Sequence, residues 1–552
     1  MELQEVGRYS VAPFALERLL ELELVKKIND HARLYVKGVL KEGEEDGLIN
    51  QSWDGQAITL SEAGKTLFCG VAQDVCVTCE NGVYYLEATA ASMTVLLDRA
   101  QKKRSFQEKD RGYQSIVNQI AGEYGAIAVC VAPSKQIQNL LLEYQETDWE
   151  FLKRLASHSN SVLVPDPTKE SPAFSFGLSE GKSYTQETGK ADFSVRKKVS
   201  RYRMLSQCED ISFQEEDAVE YAIRTEFATL EIGDQVSIKG KSLYVREVRM
   251  RLKGSVFLCA CSAVSKSGIS AAKIPHPHLN GLTLNGTVLK AIDDTVKVHL
   301  SIDNAQEEGK AYPFPYATGY SAEKHTGWYV MPEKGDTVEV VFPTEDENQA
   351  YAVQSARQED TEKTKDPRVK ILRTPDGKEI KLDKDEILIT AKDGITYVRI
   401  NEKTGVDVFT DKEVKVISGG SLTVTSGDEI SMVSKNDFRI HAGKNLKVTA
   451  EDSVSVTNKE NHMQMAPASG TSITAGGPIQ ISGADTMNLA SKGKFTANSG
   501  DKMDFSSTKD LSASSGKKLA LSAASSLESA CGASSIKLDG KINMKATLIK
   551  EN

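Results

Sequence analysis

Residues 398–542 repeat with a period of eight, and each repeat carries two apolar residues that lie two positions apart. Side chains at positions i and i+2 share one face of a β-strand. Gly, Ser, Asp, Asn and Lys lie between the pairs, and these residues are typical of turns. The repeat therefore predicts one short strand and one turn per eight residues. The pairs of the first block are Val398 and Ile400, Val406 and Val408, Val414 and Val416, Leu422 and Val424, Ile430 and Met432, Phe438 and Ile440, Leu446 and Val448, and Val454 and Val456.

The register breaks near residues 463–473 and then resumes in a second block with the same spacing. Its inward positions include smaller residues, which would suit a narrower core. The pairs of the second block are Ile479 and Ile481, Met487 and Leu489, Phe495 and Ala497, Met503 and Phe505, Leu511 and Ala513, Leu519 and Leu521, and Leu527 and Ser529.

A single chain cannot bury this apolar stripe, because eight residues are too few for one closed coil of a single-chain β-solenoid. Several chains wound together would bury the stripe and pair every strand edge. Three is the smallest number that closes a prism, so we expect an intertwined trimeric β-helix with the first-block pairs in its core. A Ser-rich adhesin stalk or a disordered tail is the alternative, but disordered tails lack periodic Val and Ile.

The chain has 552 residues and a net charge of −9, which allow three or four domains and do not suggest a nucleic-acid partner. No stretch approaches the ~20 apolar residues of a membrane span. The acidic N-terminus lacks the apolar core of a Sec signal, so we expect assembly in the cytoplasm and export by another route. The eight cysteines are scattered, mostly in apolar runs, which favours buried reduced thiols.

Three domains are expected, and the fold class is mainly β. Residues 1–272 predict a β-rich hub with helices at 112–124 and 147–158, the second opened by a capping box of Thr147 and Glu150. The stretch 14–28 fits a helix by propensity and a strand by alternation. Residues 273–362 predict an OB-type barrel and its connector, and residues 363–552 predict the β-helical spike.

The barrel is expected from five short strand candidates within about 80 residues, a length that suits a small closed barrel. The segment lacks an obvious basic, aromatic-studded face, so a structural joint is favoured over a binding module. A turn is expected at Gly335–Asp336. The strand candidates are Thr283–Lys290, Thr295–Ile302, Trp328–Met331, Thr337–Phe342 and Ala350–Ser355.

Catalytic, cofactor and metal sites are not expected, so the chain is predicted not to be an enzyme. The acidic runs 42–46 and 345–347 lie in polar sequence and suit solvated turns, whereas a catalytic acid needs an apolar pocket. Cys76 and Cys79 have metal-ligand spacing but lack a second pair nearby. His276 and His278 flank a proline and suit a linker.

Several motifs, in this order, resemble the VgrG proteins of type VI secretion and the related hub and spike proteins of contractile phage tails. Arg104-Ser-Phe-Gln107 and the segment 143–155 resemble hub signatures, and the segment 328–342 resembles the barrel segment before the spike. The resemblance implies a homotrimeric spike that caps an inner tube, pierces a target envelope and carries effectors. A trimeric receptor-binding fibre or a polysaccharide-degrading tailspike is the alternative. The absence of Tyr and Trp after Tyr397 disfavours sugar recognition by the stalk.

The resemblance also implies partners: a second and third copy of the chain, an inner-tube protein at the hub end, baseplate proteins, and transient contact with a target membrane. A PAAR-type tip protein and effector cargo are expected at the C-terminal end. The repeat spacing changes there, from nine residues between Leu527 and Ile536 to six between Ile536 and Ile542. Open strand edges at such an end are a template for a partner. The tip-docking candidates are Ile542, Met544, Leu548 and Ile549.

Overall fold

A computed structural model describes most of the chain, and its contacts divide the molecule into two units, residues 1–414 and residues 415–552. The described residues are 9–185, 192–208, 211–225, 230–253, 256–322, 326–356, 365–392, 394–466, 470–538 and 548.

The N-terminal part of the first unit is built on one large, mostly antiparallel sheet. Alternating side chains of its strands, such as Leu22, Leu24 and Val248, form the main core. The ambiguous stretch is a strand because Leu22, Leu24 and Lys26 all point inward, which a helix could not achieve. The strands are β1 Tyr9–Ala12, β2 Leu16–Lys27, β3 Arg33–Leu40, β4 Ala57–Glu62, β5 Lys65–Glu80, β6 Val83–Ser92, β12 Ser183–Thr185, β13 Phe193–Lys197, β14 Val219–Thr225, β15 Gln235–Ile238, β16 Lys241–Lys253 and β17 Val256–Val264.

A second layer holds both predicted helices around a separate core. Thr147 and Glu150 make the predicted capping box at the start of the second helix. The two other helices, Glu45–Asn50 and Val199–Leu205, were not predicted, because they have only six and seven residues and are too short for a clear helical pattern. The helices are α1 Glu45–Asn50, α2 Tyr113–Glu123, α3 Asp148–Ser157 and α4 Val199–Leu205, and the strands are β7 Gln101–Phe106, β8 Ile127–Cys130, β9 Leu141–Thr147, β10 Leu163–Pro165 and β11 Ala173–Phe176.

The predicted closed barrel is confirmed and has five strands. The prediction of a strand at Trp328–Met331 was wrong. The strand that closes the barrel is Pro313–Ala317, where Phe314 is fully buried while its flanking prolines tolerate a short strand. Gly335, with φ +97°, makes the predicted turn. The barrel strands are β18 Leu282–Ile292, β19 Thr295–Leu300, β20 Pro313–Ala317, β23 Thr337–Phe342 and β24 Tyr351–Ala356; the hairpin β21 Ser321–Ala322 and β22 Thr326–Gly327 lies between them in sequence.

Three small antiparallel sheets follow the barrel along the chain. The first belongs to the first unit, and the other two belong to the second. The first comprises β25 Lys370–Arg373, β26 Glu379–Leu382, β27 Glu386–Lys392, β28 Thr396–Asn401 and β29 Gly405–Thr410; the second comprises β30 Val454–Asn458, β31 Asn461–Ala466 and β32 Gly470–Thr474; the third comprises β33 Leu527–Cys531 and β34 Ser534–Leu538.

Candidate assembly interface

Backbone bends recur with the period of the sequence repeat. In the first block they lie at 411–412, 419–420, 427–428, 435–436, 443–444 and 451–452. In the second block they lie at 476–477, 484–485, 492–493, 500–501, 508–509, 516–517 and 524–525. Each bend falls on the polar residues between two apolar pairs, so one straight segment carries one pair.

The apolar pairs of the first block, predicted to lie in a core, are exposed in the single chain. Val398 and Val454 are half-buried, and the other fourteen side chains range from 45% exposed at Ile400 to 72% at Val416. Contiguous apolar surface of this length marks an interaction site on a protein. One chain therefore does not bury its own stripe, and burial in a trimer stays a prediction. The fourteen exposed side chains are Ile400, Val406, Val408, Val414, Val416, Leu422, Val424, Ile430, Met432, Phe438, Ile440, Leu446, Val448 and Val456.

The middle of the first block shows how uniform this exposure is. Val424, Met432 and Ile440 are 63%, 64% and 63% exposed, although each is the second member of a different pair. None of them lies in a buried core of the single chain, and their position in the core of a trimer stays a prediction. The physical reason is that one extended segment has no second layer to pack against, so its inward face has nothing to cover it.

The backbone of the same segments also lacks partners within the described part of the chain. Over residues 416–450 and 478–526, all of which are described, the structure contains no strand pairing and no backbone hydrogen bond to another segment. Extended backbone with unpaired N–H and C=O groups is a template for another chain. Burial of the apolar side chains and pairing of the backbone therefore both require further chains packed beside each extended segment.

The sheet β25–β29 shows how the stripe begins. Ile387 pairs with Ile400, which pairs with Val406, and Ile389 pairs with Val398, which pairs with Val408. Directly paired residues share a face, so one face of this sheet is a continuous apolar surface.

The opposite face of the sheet β25–β29 is satisfied within the chain. The Arg399 guanidinium donates to Asp407 at 2.6 Å, and the Tyr397 ring stacks on Phe409 with centroids 5.4 Å apart. The two faces of this sheet thus differ as the alternation of apolar and polar residues predicts, and the apolar face is not covered by the rest of the chain.

The register break is a three-stranded sheet that keeps the apolar face. Val456 pairs with Met463, which pairs with Ile473, and Val454 pairs with Met465. The apolar pair moves nine residues, from 454 and 456 to 463 and 465, and the next repeat, eight residues further on, keeps one apolar residue, Ile473, beside Thr471. The extra residue is absorbed without turning the stripe over, although a one-residue slip would otherwise reverse the faces.

The segment 143–155 places Arg154 in a buried contact between hub and barrel. Its guanidinium donates to Glu347 at 2.7 Å and to Glu146 at 2.5 Å, and the Arg154 side chain is 2% exposed. The prediction that residues 345–347 form a solvated turn was wrong at Glu347, which is 5% exposed. A buried carboxylate needs such a partner, and the partner is 193 residues away in sequence.

The motif 104–107 makes two further contacts with the barrel. The Ser105 amide donates to the Asp303 carboxylate at 2.7 Å, and the Tyr312 amide donates to the Gln107 side-chain oxygen at 3.0 Å. Leu140 and Leu142 join the barrel core. The motif and the segment 143–155 thus both contribute to the contact between hub and barrel.

Arg104 organises a second ionic cluster inside the hub. It donates to Glu143, Asp148 and Glu123, and Lys102 pairs with Glu123, so the cluster contains two cationic and three acidic side chains. Burial raises the pKa of Glu143 to about 8, and Asp148 adds to the rise while Arg104 opposes it. One oxygen of Glu143 is buried without a hydrogen-bond partner, which fits a carboxyl that keeps its proton.

His276 lies in the predicted linker between hub and barrel, but its side chain is buried. It is 1% exposed and lies 3.6 Å from Glu146. Burial, with Arg154 and His278 adding to the effect, lowers the pKa of His276 to about 3. The imidazole is neutral at physiological pH, and it packs in the same contact between hub and barrel as Arg154.

The cysteines and the tip candidates complete the predicted sites. Cys69, Cys259 and Cys261 are buried, but Cys76 and Cys79 are exposed, contrary to prediction, because they lie on the outer part of β5. Their odd spacing along a strand points them to opposite faces, so they cannot share a metal. Among the described residues, clusters that could hold a metal are absent. Leu548 is exposed, whereas Ile542, Met544 and Ile549 lie outside the described residues.

Exposed aromatic residues on the barrel were missed. Tyr320, Trp328 and Tyr329 are 57%, 71% and 68% exposed on the loop between β20 and β23. The hairpin β21–β22 brings Tyr320 beside Trp328, and their main chains share a 2.8 Å hydrogen bond. The sequence did not indicate that Tyr320 and Trp328, which are eight positions apart, lie side by side. Over the described residues, no helix has the length and apolar character of a membrane span.

Comparisons with known proteins give one family match and several similar structures. Residues 399–547 match a family described as an uncharacterized protein conserved in bacteria, DUF2345, a domain found in VgrG proteins. No curated protein sequence matches the chain.

One similar structure is a component of the Escherichia coli type VI secretion system, described as structurally similar to bacteriophage T4 tail proteins gp27 and gp5. It is 14% identical to this chain with a TM-score of 0.47, and the match covers 63% of this chain and 99% of that chain. The lidded Francisella PdpA–VgrG complex is 9% identical with a TM-score of 0.44, over 71% and 76%. The 43 kDa tail protein of prophage MuSo2 from Shewanella oneidensis is 12% identical with a TM-score of 0.38, over 48% and 98%. The solved structures similar to this chain are thus VgrG-like type VI secretion proteins and phage tail proteins, the families that the sequence motifs predicted, and its residues 399–547 match DUF2345.

Proposed function

We propose that this protein is the homotrimeric central spike and hub of a contractile injection system. Its hub end caps the inner tube, its repeat region forms the rigid rod that pierces a target envelope, and its C-terminal end carries a PAAR-type tip protein or effectors. The role is mechanical and not enzymatic, and it requires no cofactor.

The observation that carries the proposal is the combination found in residues 416–450 and 478–526. Over these described segments the chain is extended, bent every eight residues, apolar at two positions per repeat, and without strand partners of its own. Three such chains wound together would bury one apolar pair per chain per layer. Each fully buried Val or Leu contributes ~1.5–3 kcal/mol relative to exposure.

A rod built in this way resists load because its strands are bonded to other chains. Local failure would break many backbone hydrogen bonds at once, which suits a piercing device. A receptor-binding fibre or tailspike is less well supported, since the repeat region has no Tyr or Trp with which to stack on sugars. Assembly in the cytoplasm, contact with baseplate proteins and delivery through the apparatus follow from the same role.

The test is the mass of the purified full-length protein by light scattering coupled to size exclusion. We expect three times the chain mass of 60.2 kDa. A folded monomer that keeps its apolar stripe exposed would contradict the proposal, as would a dimer.

A further inference from the structure

A groove of about 690 Å³ on the hub is lined by five cationic side chains and only one acidic side chain. This excess of positive charge stands out in a chain whose net charge is −9. The acid is Asp30, and the cations are Lys27, Lys153, Arg201, Arg246 and Lys273.

Among the described residues, none of the five cations has an acidic partner within ion-pair distance, and Arg201 donates to main-chain carbonyls instead. Glu220, a carboxylate outside the lining, is 2.7 Å from Lys198 and accepts a hydrogen bond from Ser262. Asp30 accepts from the His31 amide and lies 3.4 Å from Arg33. The side chains that line the groove therefore carry a net positive charge.

Arg201 is held in place at the centre of this surface by main-chain groups. Its guanidinium donates to the carbonyls of Gly268 at 2.6 Å and Ser270 at 3.1 Å, and it lies over the Phe213 ring at 5.6 Å. Burial lowers the pKa of Arg201 to about 10, and the nearby Arg246 charge lowers it further. Two adjacent guanidinium groups, one of them desolvated, are a costly arrangement that an anion would relieve.

The rest of the lining is apolar apart from Asn29 and Ser270, and it lacks aromatic side chains. Val162, Leu205 and Ile269 are buried, while Met204 and Ile274 are 55% and 38% exposed. Aliphatic groups beside cations suit a peptide with carboxylate and apolar side chains. Single-stranded nucleic acid binds instead on stacking aromatic side chains, which this groove does not offer.

We propose that this groove binds an acidic, partly apolar peptide segment of a partner protein. Arg201 and Arg246 receive its carboxylates, and Met204 and Ile274 cover its apolar side chains. The surface lies on the hub and is independent of the repeat region, so this proposal stands or fails separately from the trimeric spike.

The test measures fluorescence anisotropy of a short labelled peptide, in which Glu alternates with Leu and Ala, against the full-length protein. The triple variant Lys153→Glu, Arg246→Glu, Lys273→Glu should weaken binding by at least about tenfold, since three favourable charge interactions become repulsive. Arg201 is left unchanged because it also bonds the main chain. The control variant Lys41→Glu, Lys65→Glu, Lys169→Glu carries the same charge change on exposed residues elsewhere and should bind as the wild type does.

Replacing each Glu of the peptide by Gln should abolish binding, and added salt should weaken it. Equal affinity of wild type and triple variant would overturn the proposal. Tighter binding of an oligothymidylate than of the acidic peptide at the same salt would also overturn it, in favour of nucleic acid. If the triple variant does not fold, judged by circular dichroism, the single Lys273→Glu variant replaces it, because Lys273 is exposed.

Discussion

Arg154 joins two parts of the fold through three atoms of its guanidinium. It is almost fully buried, and its partners come from β9 in the hub and from the loop before β24 in the barrel. A buried ion pair contributes little when compared with an apolar pair of the same size. Removing Glu347 would nevertheless leave a buried N–H group of Arg154 without an acceptor, although Glu146 would still balance the charge. The contact therefore specifies how hub and barrel meet.

Glu347→Ala is expected to lower the free energy of unfolding by about 1 to 3 kcal/mol, because it leaves a buried N–H group of Arg154 without an acceptor. Glu345→Ala is the matched control, since Glu345 is exposed two residues away. Urea denaturation followed by Trp fluorescence measures both. Equal stability of the two variants would show that the Arg154–Glu347 contact does not hold the joint.

Glu143 predicts a loss of stability as the pH rises. Its folded pKa of about 8 exceeds the reference value of 4.5, so the folded state binds the proton more tightly than the unfolded state. This contribution is fully present below about pH 4.5 and is lost as the pH rises through about 8. The midpoint of thermal unfolding, measured at pH values between these limits, should fall in the wild type as the pH rises. It should fall less in Glu143→Gln, whereas Asp110→Asn should behave as the wild type does. A wild-type midpoint that rises over this range would contradict the assignment.

Within one strand, successive side chains point to opposite faces, and this alternation determines which side chains would face the other chains of the proposed trimer. Val448 and Lys447 are neighbours on opposite faces of one repeat, and Val448 belongs to the apolar stripe. The extra residue near the break at 463–465 is absorbed with the stripe kept on one face. The repeat therefore keeps its apolar residues on one face of the strands even where the spacing departs from eight.

Val448→Asp is expected to prevent assembly, because three copies would place three carboxylates without partners on the axis of the rod. Lys447→Asp changes the charge by two units but on the outer face, so it should assemble as the wild type does. Analytical ultracentrifugation distinguishes the two. Assembly of both variants alike would mean that the inward and outward faces are assigned wrongly.

For the whole molecule, a mechanical role predicts no hydrolysis of envelope polymers. The acidic run 42–46 is mostly exposed, and the most perturbed carboxyl with a stated pKa, Glu143, lies in an ionic cluster of the hub. Zymography of the purified protein on peptidoglycan and on capsular polysaccharide should show no clearing. A lytic band that disappears on substitution of one carboxylate would establish an enzyme instead.

Tip binding is expected to depend on the C-terminal residues. Removal of residues 539–552 should leave the oligomer intact, because the last regularly spaced pair, Leu527 and Ser529, lies before this segment. The truncation should abolish co-purification with a PAAR-type tip protein. Substitution of Lys447 to Asp in the full-length chain is the control for a change that leaves the end untouched. If the truncated protein still retains the tip protein, the docking surface lies elsewhere in the molecule.

The sequence by itself determined the features that depend on neighbouring residues. The period of eight, the alternation along strands, the cap made by Thr147 and Glu150 and the turn at Gly335 are local, because side-chain direction and backbone preference are set within a few residues. The closed barrel followed from strand lengths and spacing, although one of its strands was placed wrongly. The similarity to hub and spike proteins rested on short motifs whose residues also proved to join hub and barrel.

Only the tertiary structure decided which polar residues are buried together. Glu347 and His276 looked like loop residues, and nothing local shows that Arg154 and Glu146 lie against them. The cationic groove likewise gathers Lys27, Lys153, Arg201, Arg246 and Lys273 from segments far apart in the chain. Burial and electrostatic environment depend on contacts between distant segments, and no periodicity within one segment encodes them.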